Sequence, residues 1–326
     1  MNRLSVAGGK LLVVAVLAMS LLLAAHADPA PSEVRIGLLT PLIRTSAEEG
    51  FRQGLAELGY IEGRNLITEL RRAESSDGLR SAAAGLVQSK VNLIVAFSTQ
   101  AARAALSVTA TIPVVFLSGD PVGTGLAESL AHPGGNATGI STLSTELMPK
   151  RLEFLKQVAP DVRRVILLGN PSGPLQAGVL KELNKAGEAL RIQVVTVNAR
   201  NVAEVDAALR ALRYRKHDGF MVSSDQLFFA NKTKVAAAVA KVRLPAIFPW
   251  REYHDAGVLM SYGASPREMG RQVAAYVDKI LKGAKPADLP IEQTSKYDLV
   301  IDLRIARELG LKVPQELLFR ADEVIR

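Results

Sequence analysis

Residues 91–117 read VNLIVAFSTQAARAALSVTATIPVVFL, and this stretch decides the fold. The run Val91–Phe97 is almost continuously apolar, which is typical of a fully buried strand. A helix is predicted from Thr99 to about Val108, and Pro113–Leu117 forms a second apolar run. A strand, a helix and a strand in this order predict a right-handed βαβ unit with parallel strands.

The same alternation extends over the rest of the chain. Ahead of this unit, strands are predicted at Val34–Leu39 and Asn65–Arg71, with the helix Ser46–Leu58 between them. The apolar spacing of Phe51 and Leu55 on that helix gives it one buried face. Beyond the unit, strands are predicted at Val162–Leu168, Gln193–Val197, Gly219–Ser223, Pro245–Phe248, Val258–Tyr262 and Tyr297–Ile301, and helices at about Leu175–Leu190, Val202–Leu212, Lys232–Val242, Pro266–Leu281 and Arg304–Leu309.

The pattern begins a second time half-way along the chain. Val162–Leu168, with sequence VRRVILL, echoes the first strand, Val34–Leu39, with sequence VRIGLL. A chain of 326 residues also exceeds the usual size of a single domain. We therefore predict an α/β protein with two lobes, each built on a parallel sheet that is covered on both faces.

The first 27 residues precede the α/β pattern and differ from it. Arg3 and Lys10 lie ahead of the apolar run Leu11–Ala25, and a small-x-small site ends at Ala27. Charged, apolar and small regions in that order predict a cleavable secretory signal peptide. The apolar run is shorter than the roughly 20 residues of a membrane span, although an uncleaved anchor remains the alternative. We expect the mature chain to work in the periplasm.

Composition excludes several classes of function. The chain has no cysteine, which removes disulfides, thiolate chemistry, zinc–thiolate sites and a lipid-bearing cysteine anchor. Its net charge is +8, but the basic residues are spread among acidic ones, so no nucleic-acid partner is expected. Apolar residues make up 48% of the chain, which is typical of a globular protein with a real core.

Ligands of parallel α/β sheets bind beyond the carboxyl ends of the strands, so the residues directly after each strand are the candidates. Ser98 begins a helix there, and a helix N-terminus with free N–H groups attracts an anion. Asp120 and Asp225 could pair with an ammonium group or could equally cap a turn or helix. Trp250 and Tyr262 could offer flat apolar surface or belong to the core. The candidate ligand-binding residues are Thr40, Ser98, Thr99, Gln100, Asp120, Pro121, Asn170, Ser172, Asp225, Trp250 and Tyr262.

Sequence motifs for catalysis or cofactor binding are missing. The four histidines lie far apart, without the spacing of metal ligands. The chain has no G-x-S-x-G elbow, no phosphate-binding G-x-x-x-x-G-K-[ST] loop and no dinucleotide fingerprint. We therefore predict a protein that is not an enzyme and that needs no cofactor and no metal.

Three blocks of the chain resemble a known family. They are residues 51–63 (FRQGLAELGYIEG), residues 112–139 with the motifs GDPVG and PGGNATG, and residues 244–263 with LPAIF and MSYG, together with the ending RADEVI. They resemble the ABC-transporter substrate-binding proteins that include bacterial tryptophan-binding proteins. The resemblance implies a type I periplasmic-binding-protein fold: two hinged Rossmann-like lobes, three crossovers and a ligand in the cleft.

The resemblance also implies an organisation of the lobes and a set of contacts. We expect an N-terminal lobe of residues 32–142 plus about 263–290 and a C-terminal lobe of residues 143–262 plus about 291–326. The residues alone leave open which lobe the tail joins. The family does not fix the ligand. The ligand contacts that it implies are Ser98, Thr99, Asp120, Asn170, Ser172, Asp225 and Tyr262.

The expected function is solute binding for import. In this hypothesis a monomer captures an amino acid or a related carboxylate by closure of its lobes and delivers it to an inner-membrane ABC permease. The first alternative is a periplasmic sensing module for a membrane receptor. The second is an exported hydrolase that uses a serine such as Ser98 or Ser223.

Overall fold

A computed structural model describes residues 33–41, 46–294 and 296–326. The predicted signal peptide, residues 1–27, and the predicted first residue of the N-terminal lobe lie outside these ranges. Within the described ranges, no helix combines the length and the apolar character that crossing a membrane requires.

The N-terminal lobe is built on a six-stranded sheet in which all neighbouring strands are parallel. Its strand order is β11-β5-β4-β3-β1-β2. Helices cover both faces, because one apolar cluster lies under α1 and α9 and another under α2 and α3. The elements are β1 (Val34–Thr40), α1 (Ser46–Glu57), β2 (Leu66–Arg72), α2 (Ser76–Gln88), β3 (Leu93–Ala96), α3 (Thr99–Leu106), β4 (Val114–Ser118), β5 (Ala137–Ser141), α9 (Pro266–Leu281) and β11 (Glu292–Gln293).

The C-terminal lobe holds a seven-stranded sheet in the order β13-β12-β10-β9-β8-β6-β7. All neighbouring strands are parallel except β10 and β12, which are antiparallel. The elements are α4 (Leu147–Val158), β6 (Arg164–Gly169), α5 (Gln176–Leu190), β7 (Gln193–Asn198), α6 (Val202–Arg210), β8 (Asp218–Val222), α7 (Gln226–Ala230), α8 (Lys232–Lys241), β9 (Ala246–Phe248), β10 (Met260–Ala264), β12 (Tyr297–Asp302), α10 (Leu303–Glu308), α11 (Gln315–Arg320) and β13 (Glu323–Ile325).

The chain crosses between the lobes three times: from β5 to α4, from β10 to α9, and from β11 to β12. The predicted α/β class with parallel sheets in two lobes is therefore confirmed. In the two sheets, one residue range of each lobe ends a few residues later than expected. Strand β10 continues to Ala264 in the C-terminal sheet, and β11 adds Glu292–Gln293 to the N-terminal sheet by pairing with β5.

Several elements were not predicted, and their sequences explain why. Strand β5 reads ATGIS, which lacks an apolar run, yet it is buried because it lies between β4 and β11. Helix α2 contains Gly78 and Gly85, which lower its helix propensity, but a side-chain cap by Ser75 fixes its start. The other elements missing from the sequence-based prediction are α4, α7, α11, β11 and β13.

Helices α1 and α9 cross with their backbones in direct contact. A Cβ atom on Gly50 would lie 1.9 Å from the carbonyl oxygen of Arg267, and one on Gly270 would lie 2.0 Å from the carbonyl oxygen of Ala47. Only glycine leaves room for this approach. Helix α9 follows the second crossover and packs here on α1, the first helix of the lobe. The contact therefore fixes the position at which the chain returns to the N-terminal lobe.

Gly50→Ala should lower the free energy of unfolding by about 1–3 kcal/mol, because the added methyl group forces the two backbones apart. Gly85→Ala is the matched control, since Gly85 also lies within a helix but a Cβ there meets nothing within 4 Å. The control should raise stability by about 0.4–1 kcal/mol. Urea unfolding measures both. Equal effects of the two substitutions would contradict the backbone contact.

Candidate ligand-binding cleft

A cavity of about 950 Å³, which includes open solvent at its mouth, lies between the two lobes. Segments after β3, β4, β5, β6, β8 and β9 contribute to its walls, together with the first turns of α1 and α9. The polar lining residues are Ser98, Thr99, Gln100, Ser118, Thr142, Ser144, Asn170, Gln176, Ser223, Ser224, Asp225, Gln226 and Glu252.

The wall from the N-terminal lobe is built around the start of α3. Ser98 caps this helix, because its Oγ accepts a hydrogen bond of 3.0 Å from the N–H of Ala101. The Oγ1 of Thr99 lies 3.0 Å from the Oγ of Ser118, and the N–H of Gly119 donates to the same Thr99 oxygen at 3.4 Å. Hydroxyl groups and the positive end of a helix dipole thus meet at one point, which favours an anionic group of a ligand.

Asp225 is the central acidic residue of the C-terminal wall. Its Oδ1 accepts a 2.8 Å hydrogen bond from the N–H of Leu227, so it caps α7. Its Oδ2 accepts a 3.1 Å hydrogen bond from Nδ2 of Asn170. Burial raises the pKa of Asp225 above its usual value. From the sequence, Asp225 could either cap a helix or bind a ligand. In the structure its carboxylate caps α7 and also lies on the cavity wall.

Aromatic rings form the apolar side of the C-terminal wall. Phe229 and Trp250 line the cavity, and their rings meet edge to face with centroids 5.2 Å apart. Tyr253, which is fully buried beneath them, stacks on Trp250 at 6.4 Å and packs against Phe248 at 4.7 Å. This packing holds the segment after β9 in a single position.

The structure brings six of the predicted residues to the cavity: Ser98, Thr99, Gln100, Asn170, Asp225 and Trp250. It does not bring Thr40, Asp120, Pro121, Ser172 or Tyr262 to the lining. Asp120 caps its own turn by accepting a 2.8 Å hydrogen bond from the N–H of Gly123. Tyr262 turns its ring into the core of the C-terminal lobe, where it meets Phe154 edge to face at 4.9 Å.

Thr40, Pro121 and Ser172 have structural settings of their own. Thr40 ends β1 and is buried, with 1% of its surface exposed. Pro121 begins the turn that Asp120 caps, where its carbonyl oxygen accepts a hydrogen bond from the N–H of Leu126. The N–H of Ser172 donates to Oδ1 of Asn170 at 3.0 Å, so Ser172 supports a lining residue from behind.

Three lining residues outside the predicted ligand contacts carry buried polar atoms without a partner among the described residues. These atoms are Nε2 of Gln176, Oγ of Ser223 and Oε2 of Glu252. Glu252 lies two residues after Trp250 in the sequence, so the loop after β9 was the available signal. Gln176 begins α5, three residues after Gly173, and no pattern marked it.

Asp225 and Glu252 are the only ionisable side chains among the described residues that line the cavity. A buried base, Arg151, is 1% exposed and lies behind the C-terminal wall, next to the lining residue Ser224. Its Nε donates to the carbonyl oxygen of Tyr262 at 2.8 Å, and Nη1 lies 3.3 Å from the Oγ of Ser224. Burial lowers the pKa of Arg151 to about 10, so it stays charged at neutral pH. Both ionisable side chains that the described residues contribute to the lining are therefore acidic.

Comparisons with known proteins agree with this geometry. The sequence profile of a family described as "ABC transporter substrate binding protein" matches residues 43–325. The chain belongs to that family. The family and the relatives found are solute-binding proteins rather than enzymes.

Three relatives are similar over most of this substrate-binding protein. A tyrosine-binding protein of Clostridioides difficile (strain R20291) is 26% identical over 268 residues, which cover 82% of this chain and 77% of that protein. An ABC domain from Streptococcus pneumonia, solved in complex with L-Trp, is 26% identical with a TM-score of 0.83 and covers 90% of this chain and all of its own.

The third relative is a substrate-binding protein with adhesive properties from Clostridium difficile, in a ligand-free, open structure. It is 25% identical, with a TM-score of 0.64, over 90% of this chain and 99% of its own.

His254 lies on the short 3₁₀ turn, Arg251–Ala256, that carries Glu252. Its Nε2 lies 3.1 Å from the Oγ of Ser261, and its Nδ1 has no partner among the described residues. Burial lowers the pKa of His254 from 6.5 to about 4. The charged groups that face it are Asp302, Arg251, Glu323 and Asp255.

Folding lowers the pKa of His254, so the folded state is favoured most above pH 6.5, where the imidazole is neutral in both states. This stabilising contribution is lost as the pH falls from 6.5 towards 4, because the unfolded chain takes up the proton first. Between pH 7 and 4 the free energy of unfolding of the wild type should therefore fall by about 3 kcal/mol more than that of His254→Gln. Urea unfolding at several pH values measures it. His132→Gln, at an exposed site, is the control, and parallel profiles of His254→Gln and wild type would contradict the burial argument.

Proposed function

We propose that this protein is an exported binding protein that captures an amino acid, or a related small carboxylate, between its lobes and delivers it to a membrane permease. The observation that carries the proposal is the division of the cavity into two chemically different walls. One wall offers hydroxyl groups and a helix N-terminus, and the other offers carboxylates and aromatic rings. An amino acid carries a carboxylate and an ammonium group on one carbon atom, and these two groups complement the two walls.

The carboxylate of the ligand is assigned to the wall at Ser98 and Thr99. There the first turn of α3 presents N–H groups, and the dipole of the helix favours negative charge. The ammonium group is assigned to the opposite wall, where Asp225 lies. A positive charge close to Asp225 would offset the burial that raises the pKa of its carboxyl group.

The side chain of the ligand is assigned to the apolar part of the cavity. Phe97, Leu117 and Met269 line it from the N-terminal lobe, and Phe229 and Trp250 line it from the C-terminal lobe. Aromatic rings favour edge-to-face and offset contacts with other aromatic rings. Since relatives are named for tyrosine or were solved with L-Trp, L-tyrosine and L-tryptophan are the first ligands to test.

We infer that the structure has the closed arrangement of lobes. It is more similar to the L-Trp complex than to the ligand-free, open relative, with TM-scores of 0.83 and 0.64 at nearly the same sequence identity. Contacts across the cleft agree with this inference. The Oγ of Ser46 in the N-terminal lobe donates to Oε1 of Glu252, and Gly119 lies against Leu175, whose Cδ1 would be 2.4 Å from an added Cβ.

The single tryptophan of the chain, Trp250, lines the cavity and gives a direct assay of binding. The protein is first unfolded and refolded to remove bound ligand. Its fluorescence, excited where tyrosine does not absorb, should then change saturably as L-tyrosine is added. Thermal shift over a panel of amino acids, carboxylates, nucleosides and sugars adds the comparison, because a ligand at 100 times its Kd stabilises by about 2.7 kcal/mol. Selective stabilisation by a sugar or nucleoside would refute the amino-acid assignment.

Asp225→Asn should weaken amino-acid binding by at least about tenfold, because it removes the negative charge that faces the ammonium group. Asp120→Asn is the matched control. It removes a carboxylate that caps a turn and does not line the cavity, and its remaining side-chain oxygen can still cap that turn. Calorimetric titration of both folded variants decides the matter. Equal affinities would exclude Asp225 from ammonium recognition, and loss of binding in Asp120→Asn alone would reverse the assignment.

Export and delivery to a permease are supported by the amino-terminal sequence and by the family. We expect protein recovered from the extracytoplasmic fraction of its host to begin at Asp28. We also expect deletion of the gene to reduce uptake of labelled L-tyrosine or L-tryptophan, with restoration by a plasmid copy. Mass spectrometry and uptake assays measure the two effects. Unchanged uptake by cells that export a ligand-binding protein would favour a sensing role instead.

A further inference from the structure

Glu252 lies on the cavity wall at the boundary between the lobes. It belongs to the short turn Arg251–Ala256, directly after Trp250. The next residue, Tyr253, is fully buried among aromatic rings and fixes the turn to the C-terminal lobe. Glu252 is therefore held at one position of that lobe while its carboxylate reaches towards the other.

The two oxygens of this carboxylate have different surroundings. Oε1 accepts a hydrogen bond from the Oγ of Ser46, the first residue of α1 in the N-terminal lobe. Oε2 is buried and has no hydrogen-bond partner among the described residues. A buried carboxylate oxygen without a donor is unfavourable, because it has lost its water and gained nothing in return. The closed cleft thus contains an acceptor that a ligand can satisfy.

The charges around Glu252 indicate which ligand group satisfies it. Among the described residues, the cavity lining includes Asp225 and Glu252 but no lysine, arginine or histidine. Arg251, the adjacent base, is paired with Glu323 by two hydrogen bonds of 2.8 and 2.9 Å. Since none of these described neighbours places a cation at Oε2, a ligand ammonium group is the matching donor. An ammonium group has three N–H bonds, so donation to Oε2 leaves two for other acceptors.

We propose that Glu252 couples recognition of the ligand's ammonium group to closure of the lobes, one carboxylate oxygen binding the ammonium group and the other binding Ser46. The inference rests on the proposed amino-acid ligand. Closure around an empty cavity leaves Oε2 desolvated and unpaired, which disfavours the closed state. Closure around an ammonium group satisfies Oε2 and adds the hydrogen bond from Ser46. The same side chain therefore opposes empty closure and supports loaded closure.

Two variants separate the two oxygens. Glu252→Gln keeps an oxygen for Ser46 but removes the negative charge, whereas Ser46→Ala keeps the charge and removes the contact between lobes. Each is titrated with L-tyrosine and L-tryptophan and with their analogues that lack the ammonium group, 3-(4-hydroxyphenyl)propionate and indole-3-propionate. Asp255→Asn, an exposed charge removal on the same turn, is the control.

Glu252→Gln should weaken binding of the amino acids at least about tenfold. It should strengthen binding of the analogues, because closure over a ligand without an ammonium group no longer leaves a carboxylate oxygen unpaired. Ser46→Ala should weaken amino acids and analogues by the same small factor, about threefold, since it affects closure only. Asp255→Asn should resemble the wild type. Equal loss for amino acids and analogues in Glu252→Gln would overturn the inference. A wild type that binds neither amino acid would overturn the proposed ligand class itself, which is a different result.

Lobe closure can be measured directly, because the chain has no cysteine. Spin labels on cysteines introduced at the exposed positions Arg80 and Lys185 report the distance between the lobes. Without ligand, Glu252→Gln should populate the closed distance more than the wild type does. With saturating L-tyrosine, Ser46→Ala should populate it less. Identical distance distributions in wild type and both variants would refute the coupling.

Discussion

The backbone contact between α1 and α9 is the constraint on which the cleft depends. Gly50 and Gly270 have no side chains, so the main chains of the two helices come into direct contact. Helix α9 begins directly after the second crossover, so its packing decides where the chain re-enters the N-terminal lobe. The first turns of both helices reach the cavity, through Ala47 on α1 and Met269 on α9. A contact within one lobe thereby shapes the surface that faces the other.

The C-terminal wall depends on a buried cation in a comparable way. Arg151 on α4 donates to the carbonyl oxygen of Tyr262 on β10, and it lies within hydrogen-bond distance of Ser224, behind the cavity. Helix α4 follows the first crossover and β10 precedes the second, so one side chain connects the two segments that enter and leave this lobe. A buried charge that is held by neutral groups is costly to fold around. Its hydrogen bonds to Tyr262 and Ser224 offset part of that cost.

Strands that consist of apolar runs could be predicted from the sequence, whereas a strand that depends on its neighbours in the sheet could not. β3 and β4 could be identified from their own residues, whereas β5, with its sequence ATGIS, is a strand because β4 and β11 lie on either side of it. The site divides in the same way. Ser98 and Asp225 follow strands and cap helices, which is a local signal. Glu252 matters because Ser46, 206 residues away, meets it across the cleft, and no local pattern encodes that meeting.

The charge of the whole chain and the charge of its cleft have opposite signs. The chain carries a net charge of +8, yet the described residues of the cavity lining include two carboxylates and no base. Surface charges are screened over about 10 Å in salt solution, whereas charges in a closed cleft are screened much less. A ligand in the cleft therefore responds to the nearby carboxylates, and to Arg151 behind the wall, more than to the surface charges. A binding protein of this kind can have a basic surface and still select a ligand for its ammonium group.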